Sequence, residues 1–290
     1  MKKIVKNISI MLNKSHLTIK ALKKFYKRGG YTHYTIANIQ YNQILNGKKI
    51  LITGGSTGIG LSIAKKCLSV GASVVITGRS LDKLKEASLE LNNPNLEYIV
   101  WDISDIKSLN QKLQESTNLL GGDIDILVNN AGVIDTTIFP NVSEEVWDKV
   151  YSINSKGLYL LTQEVCKVWL SRKSKNKIKK IINISSQGGF VGATYPYRLT
   201  KWDIAGLTQG LGIKLAPEGI LVNGIAPGVI ATKMQPNIFG DSENIFYPLN
   251  PLGRYAFPEE IAELAVFLIG DSSNFIVGQT IVCDGGFSIK

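Results

Sequence analysis

The fold is decided by the stretch LITGGSTGIG, which occupies residues 51–60. A short apolar run of strand length leads into it, and the apolar residues that follow recur at the spacing of one helix face. Its glycines Gly54, Gly58 and Gly60 therefore lie in a strand-to-helix turn, where an anion can approach the backbone and a helix N-terminus offers free N–H donors. An ordinary tight turn can carry the same glycines, but strand, turn and helix in this order are what a dinucleotide site requires.

Beyond this stretch, the chain alternates between strand and helix patterns up to its last residue. Continuous apolar strands such as residues 124–128 are typical of a parallel sheet that is buried on both faces. We predict an α/β fold: a single doubly wound Rossmann domain with a seven-stranded parallel sheet, residues 47–290, and a basic N-terminal extension, residues 1–46. The predicted strands are Lys49–Thr53, Ser73–Thr77, Leu96–Trp101, Ile124–Val128, Ile178–Ile184, Ile220–Ile225 and Thr280–Cys283, and the predicted helices are 58–70, 81–91, 105–119, 143–170, 196–215 and 258–269.

The charge of the chain is concentrated at its N-terminus. Nine Lys and Arg residues and no acidic residue lie in residues 1–46, so they account for all but one unit of the net charge of +10. The remaining chain is nearly neutral, and the charge therefore does not indicate a nucleic-acid partner. Both histidines, His16 and His33, also lie in this segment. The chemistry of the domain must therefore run without histidine, which excludes Ser-His-Asp hydrolysis and a His-ligated metal.

The extension leaves three interpretations open. Its apolar residues recur at helical spacing between lysines, which indicates one or two amphipathic helices. Such a segment could bind an acidic partner or the anionic face of a membrane. It could instead be a poorly ordered tail that the lysines keep soluble, or a cleaved targeting peptide.

The three cysteines match no metal spacing, so we expect reduced thiols in a cytoplasmic protein and no metal site. No apolar run approaches the roughly 18 residues that a membrane span needs.

The chemistry is indicated by Tyr197 and Lys201, which lie four residues apart and so share a helix face. A phenol with a reference pKa of ~10 is a poor acid or base at neutral pH, but a neighbouring ammonium or an oxidised nicotinamide lowers that pKa. Tyr195 has no such partner, because Leu199 occupies the corresponding position. Alone, such a pair is most often a chance surface pair. The glycine turn upstream and the strand that ends before Ser185 favour a catalytic role for this pair.

With these motifs, residues 48–290 resemble the short-chain dehydrogenase/reductase family, in its 3-oxoacyl-carrier-protein-reductase-like and sugar-dehydrogenase-like branch. The resemblance implies a Tyr197 general acid/base, whose pKa Lys201 lowers while it holds the nicotinamide ribose. It also implies that Ser186, preferred to Ser185 because a glycine follows it by three residues, orients the substrate oxygen, and that Asn154 anchors a water that links Lys201 to solvent. The matching motifs are Thr53–Gly60, Asp102, Asn129–Gly132, Asn154, Ser186, Tyr197, Lys201, Asn223, Pro227–Gly228, Thr232 and Asp284–Gly286.

The resemblance also implies a nicotinamide cofactor. At the end of the second predicted strand, where an acidic residue would select NAD(H), this chain has Gly78 and Arg79. A guanidinium can pair with a 2′-phosphate, so NADP(H) is favoured and NAD(H) is possible, although Arg79 could also merely stack on the adenine. The implied cofactor-binding residues are Gly54, Ser56, Thr57, Gly58, Ile59, Gly60, Arg79, Asp102, Asn130, Ala131, Gly132, Tyr197, Lys201, Pro227, Gly228 and Thr232.

The function expected from this resemblance is NAD(P)(H)-dependent interconversion of a ketone and a secondary alcohol by hydride transfer. The substrate is a small carbonyl or alcohol compound, and an apolar lid over residues 232–254 would exclude water without choosing among a sugar, polyol, steroid or acyl thioester. The resemblance also implies a homotetramer or homodimer. The alternative is a non-catalytic NAD(P)-sensing regulator on the same fold, which could lose Tyr197 or Lys201 without cost; this chain has both.

Overall fold

The computed structural model describes residues 19, 22–23, 43–172, 178–232 and 245–289. Its strands and helices alternate, as the sequence predicts. The strands are β1 (Lys49–Thr53), β2 (Ser73–Gly78), β3 (Leu96–Val100), β4 (Ile126–Asn129), β5 (Lys179–Ile184), β6 (Ile220–Pro227) and β7 (Thr280–Cys283). The α-helices are α1 (Gly58–Ser69), α2 (Leu81–Leu91), α3 (Leu109–Leu119), α4 (Glu144–Tyr151), α5 (Leu158–Ser171), α6 (Pro196–Leu215) and α7 (Pro258–Ile269).

All seven strands form one parallel sheet in the order β3-β2-β1-β4-β5-β6-β7. The chain therefore runs outward from β1 in one direction as far as β3, and then crosses back to begin the other half at β4. In an open sheet of this kind, ligands bind beyond the carboxyl ends of the strands, at the point where the order reverses. The doubly wound, seven-stranded architecture predicted from the sequence is confirmed.

A hydrophobic core lies on each face of the sheet. Neighbouring residues of β1 point to opposite faces: Ile50 and Ile52 belong to one core with α1 and α7, whereas Leu51 belongs to the other with α3 and α5. All three side chains are fully buried. Burial on both faces is the reason why these strands read as continuous apolar runs rather than as alternating ones.

The single helix predicted over residues 143–170 is interrupted in the structure. Between α4 and α5, residues Ser152–Gly157 form a π-helical turn, a rare geometry that is found mostly at functional sites. The chain packs closely at its end, because a Cβ on Gly157 would lie 2.6 Å from the carbonyl oxygen of Ile103. Similarly, β4 begins at Ile126 rather than at Ile124, whose carbonyl instead accepts hydrogen bonds from the Trp169 indole and the Lys179 ammonium.

The predictions on residues 1–42, including the amphipathic helices, lie outside the described residues except at positions 19, 22 and 23, which are helical. The lid residues 233–244 lie outside them as well. Residues 43–46 pack with the domain, because Leu45 is fully buried and its N–H donates to the Val70 carbonyl at 3.0 Å. The division at residues 46 and 47 stays a prediction. No helix among the described residues is both long and apolar enough to cross a membrane.

Candidate active site

The glycine turn between β1 and α1 forms the floor of the site. Gly54 and Gly58 have φ angles of +65° and +57°, which favour glycine, and a Cβ on Gly54 would lie 2.8 Å from the Cα of Ala131. The first turn of α1 has no acidic residue, and its N-cap residue Thr57 makes no side-chain hydrogen bond to it. The N–H groups at this end of the helix are therefore available to an anion.

The end of β4 is clamped against the end of β1. The Nδ2 of Asn130 donates to the carbonyls of Thr53 and Gly54 at 3.0 and 2.8 Å. In return, the Thr53 hydroxyl accepts the N–H groups of Asn130 and Ala131, both at 3.1 Å. The side chain of Asn130 thus holds the glycine turn in place.

A cleft of about 970 Å³ opens over these strand ends and contains most of the predicted site residues. Its size and its side-chain-free glycine floor fit a nicotinamide dinucleotide. Gly60 and Asn154 are not part of its lining; both pack behind it. The predicted residues that line it are Gly54, Ser56, Thr57, Gly58, Ile59, Arg79, Asp102, Asn130, Ala131, Gly132, Ser186, Tyr197, Lys201, Pro227, Gly228 and Thr232.

Basic and acidic side chains meet at one end of the cleft, where Glu86 and Glu90 of α2 line it beside two basic residues. Arg79 follows β2, and Lys83 lies in the first turn of α2; both are exposed and line the cleft. Among the described residues, neither has a carboxylate within 4.0 Å. One carboxylate oxygen of Asp102, Oδ1, accepts from the N–H and the hydroxyl of Ser104 at 2.9 and 2.6 Å.

The other end of the cleft brings together Ser186, Tyr197 and Lys201. Lys201 Nζ lies 5.5 Å from the centre of the Tyr197 ring and donates to the Ile184 carbonyl at 3.0 Å. Ser186 accepts the N–H of Gly188 at 3.1 Å and leaves its hydroxyl proton free of that bond. Its neighbour Ser185 is buried and donates to the backbone carbonyl of Lys201 at 2.8 Å. Both serines line the cleft, but the Ser185 hydroxyl is committed to the backbone of α6.

Burial dominates the electrostatics of this group. It raises the pKa of Tyr197, while the interaction with the Ser186 hydroxyl acts in the opposite direction. Burial also lowers the pKa of Lys201 to about 8. The sequence predicted a lowered Tyr197 pKa because of Lys201, but the Lys201 ammonium donates to Ile184. Among the protein's own groups, burial has the largest effect on the Tyr197 pKa, and its direction is opposite to the predicted one.

Asn154 lies in the π-helical turn and is completely buried. Its amide binds both backbone groups of Val133: Oδ1 accepts the N–H at 2.8 Å, and Nδ2 donates to the carbonyl at 2.9 Å. The second Nδ2 proton goes to the hydroxyl of Thr200 at 3.2 Å. A Cβ on Gly132 would lie 3.3 Å from Asn154 Oδ1 and 3.8 Å from Lys201 Nζ, so these two groups converge on one point. Sequence reasoning missed Thr200, whose only signal was its place three residues after Tyr197.

This fold and this site define a class of protein. A family model described as enoyl-(acyl carrier protein) reductase matches residues 54–288. The chain belongs to the short-chain dehydrogenase/reductase family.

Its relatives include named enzymes. It is 36% identical to the 3-oxoacyl-[acyl-carrier-protein] reductase FabG of Aquifex aeolicus over 83% of this chain and 98% of that protein. It is 32% identical to the gluconate 5-dehydrogenase of Gluconobacter oxydans over 85% of this chain and 96% of that protein. Among solved structures, the "Pseudomonas aeruginosa RhlG/NADP active-site complex" superposes with a TM-score of 0.77 at 30% identity, and covers 86% of this chain and 100% of that one. This protein is an NAD(P)-dependent oxidoreductase that interconverts a ketone and a secondary alcohol, and the comparisons give no support to the regulator.

Proposed function

We propose that the chain is an NADP(H)-preferring ketone reductase in which Ser186, Tyr197, Lys201 and Asn154 carry the proton chemistry. The observation that carries the proposal is the convergence of Ser186, Tyr197 and Lys201 at one end of a cleft whose other end is lined by Arg79. When bound in this cleft, a nicotinamide cofactor would supply the hydride that reduces the carbonyl carbon. The Tyr197 phenol, whose pKa is raised by burial, donates its proton to the substrate oxygen.

The neighbouring groups orient the substrate and renew the proton. The Ser186 hydroxyl donates to the substrate oxygen and holds it toward the Tyr197 phenol. Once Tyr197 has given up its proton, the ammonium of Lys201 favours the phenolate. Asn154 anchors a water between Lys201 and solvent, through which the proton returns. In the oxidation direction, the same groups take the proton from the alcohol.

The preference for NADP(H) rests on Arg79. It follows β2, where Gly78 replaces an acidic residue, and no described carboxylate neutralises it. A charge-assisted bond to the 2′-phosphate is worth roughly 1.5–3 kcal/mol, or about ten- to a hundredfold in affinity. We expect Arg79→Ala to remove most of the preference for NADPH over NADH in a binding titration. Lys85→Ala is the control, because Lys85 is exposed on the same α2 helix but does not line the cleft. Equal affinities for both cofactors in the unmodified protein would contradict the proposal.

The substrate class is a 3-oxoacyl thioester. Ile134, Ile138, Phe139 and Phe190 are exposed apolar residues of two loops that follow β4 and β5. A hydrogen bond from Phe139 N to the Thr194 carbonyl, 3.1 Å long, joins these loops beside the site. Of these four residues Ile134 lines the cleft itself, and an apolar surface beside the cleft favours an acyl chain over a polyhydroxy acid. The name of the Aquifex relative points to the same class, whereas that of the Gluconobacter relative points to a sugar acid.

The decisive experiment follows NADPH oxidation with a 3-oxoacyl thioester, a keto-sugar acid and a plain ketone. We expect turnover of the thioester, and Tyr197→Phe should abolish it while leaving NADPH binding unchanged. Near-normal turnover by that variant would contradict the proposed role of Tyr197. Turnover of the keto-sugar acid alone would overturn the substrate class but not the reaction.

The exposed surface and the cysteines support proposals on assembly and location. The long helices expose large residues, including Trp147, Tyr159 and Ile213, and this supports a homodimer or homotetramer, which light scattering would measure. All three cysteines are unpaired, in keeping with a cytoplasmic protein. Because the N-terminal extension is basic, we propose that it contacts an anionic membrane or an acidic partner. Its test is sedimentation of the full chain with anionic vesicles at low and high salt.

A further inference from the structure

Thr200 connects two residues of the proposed catalytic set. It lies on α6, one turn after Tyr197, and is completely buried. Its hydroxyl donates to the backbone carbonyl of Tyr197 at 2.7 Å and accepts from Asn154 Nδ2 at 3.2 Å. A threonine hydroxyl has a single proton to donate, so these two bonds fix its orientation.

The same contact fixes the Asn154 amide. The Val133 carbonyl accepts one Nδ2 proton of Asn154, and the Val133 N–H donates to Oδ1. The Thr200 hydroxyl accepts the remaining Nδ2 proton. Asn154 lies in the π-helical turn, whereas Tyr197 and Lys201 lie on α6. Within the described part of the chain, the bond to the Thr200 hydroxyl is the only side-chain hydrogen bond that joins the Asn154 amide to α6.

We propose that Thr200 is a positioning residue for proton transfer, which sets the position of Tyr197 and Lys201 relative to Asn154. The proposal rests on the proton relay proposed above. Without the Thr200 hydroxyl, one buried Nδ2 proton of Asn154 has lost its acceptor, and the hydrogen bond that links Asn154 to α6 near Tyr197 is gone. The ammonium and the relay water then stabilise the Tyr197 phenolate less well, so the reaction slows although substrate and cofactor still bind.

The chain contains a matched control on the same helix. Thr208 is also completely buried, donates to a helix carbonyl (Ile204, 2.7 Å) and accepts from an asparagine amide (Asn183, 2.9 Å). Its bonds therefore have the same chemistry as those of Thr200, but Asn183 joins strands in the core and touches none of the catalytic groups: its Oδ1 accepts from Asn129. A purely structural role for Thr200 predicts that both positions behave alike.

The first test compares Thr200→Val with Thr208→Val in NADPH-dependent turnover of the 3-oxoacyl thioester. Both substitutions remove one buried hydroxyl, so we expect similar losses in Tm. Only Thr200→Val should lower kcat, by about tenfold or more, while KM for the thioester and NADPH stays within about twofold. Thr200→Ser keeps the hydroxyl and should restore kcat. A kcat for Thr200→Val within twofold of the wild type, or an equal loss in Thr208→Val, would overturn the proposal.

The second test needs no substrate, and so it separates a failure of this inference from a failure of the proposed function. The phenolate absorbance of Tyr197 is titrated in the presence of NADP+, as the difference between each protein and its Tyr197→Phe counterpart. We expect Thr200→Val to raise the apparent pKa by about half a unit or more, and Thr208→Val to leave it unchanged. Coincident curves for Thr200→Val and the wild type would refute the positioning role. If Thr200→Val does not fold, Thr200→Ala and Thr208→Ala carry the same comparison.

Discussion

Gly60 offers a test of how the glycine turn is held, because it does not touch the cleft. It lies in the first turn of α1, and a Cβ at this position would be 2.4 Å from Asn130 Nδ2 and 2.4 Å from the Gly54 carbonyl oxygen. Neither atom can move freely, because Asn130 Nδ2 is bonded to that carbonyl and to the carbonyl of Thr53. We expect Gly60→Ala to destabilise the protein and to weaken cofactor binding together.

The magnitude follows from two contributions and one offset. Overpacking of a closely packed contact costs about 1–3 kcal/mol. Displacement of the Asn130 amide loses two hydrogen bonds of about 0.5–1.5 kcal/mol each. Alanine is a better helix former than glycine by about 1 kcal/mol, which offsets part of the loss. The free energy of unfolding should therefore fall by about 3 kcal/mol, and the Kd for NADPH should rise, because the Gly54 carbonyl loses its anchor.

The assay is urea unfolding at 25 °C, followed by tryptophan fluorescence, with calorimetric titration of NADPH. Gly210→Ala is the matched control: Gly210 is an exposed helical glycine where an added Cβ would meet no atom within 4 Å, so alanine should stabilise by about 0.5–1 kcal/mol. The two Gly-to-Ala changes should thus have opposite signs. A Gly60→Ala protein within about 1 kcal/mol of the wild type would show that the turn adapts, and the argument for a rigid clamp would fail.

Two further predictions concern stability. Lys180 is buried against the Leu268 and Gly270 carbonyls, and burial lowers its pKa to about 8. Between this pH and the unfolded-state pKa of ~10.5, the unfolded state therefore binds more protons than the folded state. Relative to Lys180→Met, the free energy of unfolding of the wild type should rise by ~1–3 kcal/mol as the pH increases through this window. A difference in urea stability that does not grow with pH would refute this sign. A chain that begins at residue 43 should unfold and bind NADPH like the full chain, whereas one that begins at residue 47 loses the buried Leu45 and about 2–4 kcal/mol. Equal stabilities of the two shortened chains, measured in urea, would contradict that packing.

The elements that were predictable from sequence are those whose signal is local. The glycine turn was visible because positive φ and close approach leave few alternatives to Gly54 and Gly58. The central strands β4, β5 and β6 were visible because burial on both faces makes each an apolar run. The break after Tyr151 was not visible, because the π-helical turn has no composition of its own and the apolar periodicity continues through it. Thr200 was equally hidden, since its partner Asn154 lies 46 residues away in the chain.

The Tyr197 pKa shows why charges read from sequence do not settle protonation. Four-residue spacing placed an ammonium beside the phenol, and that inference of proximity holds, since Lys201 Nζ is 5.5 Å from the ring centre. Yet the largest effect on this pKa is burial, which raises it, while the Lys201 ammonium donates to the Ile184 carbonyl of β5. A protonated phenol can act as an acid in reduction. For oxidation it must first lose that proton, and the electrostatic help for that step has to come from groups that approach the cleft. We propose that the positions of Thr200 and Asn154 influence how readily the phenolate forms in that direction.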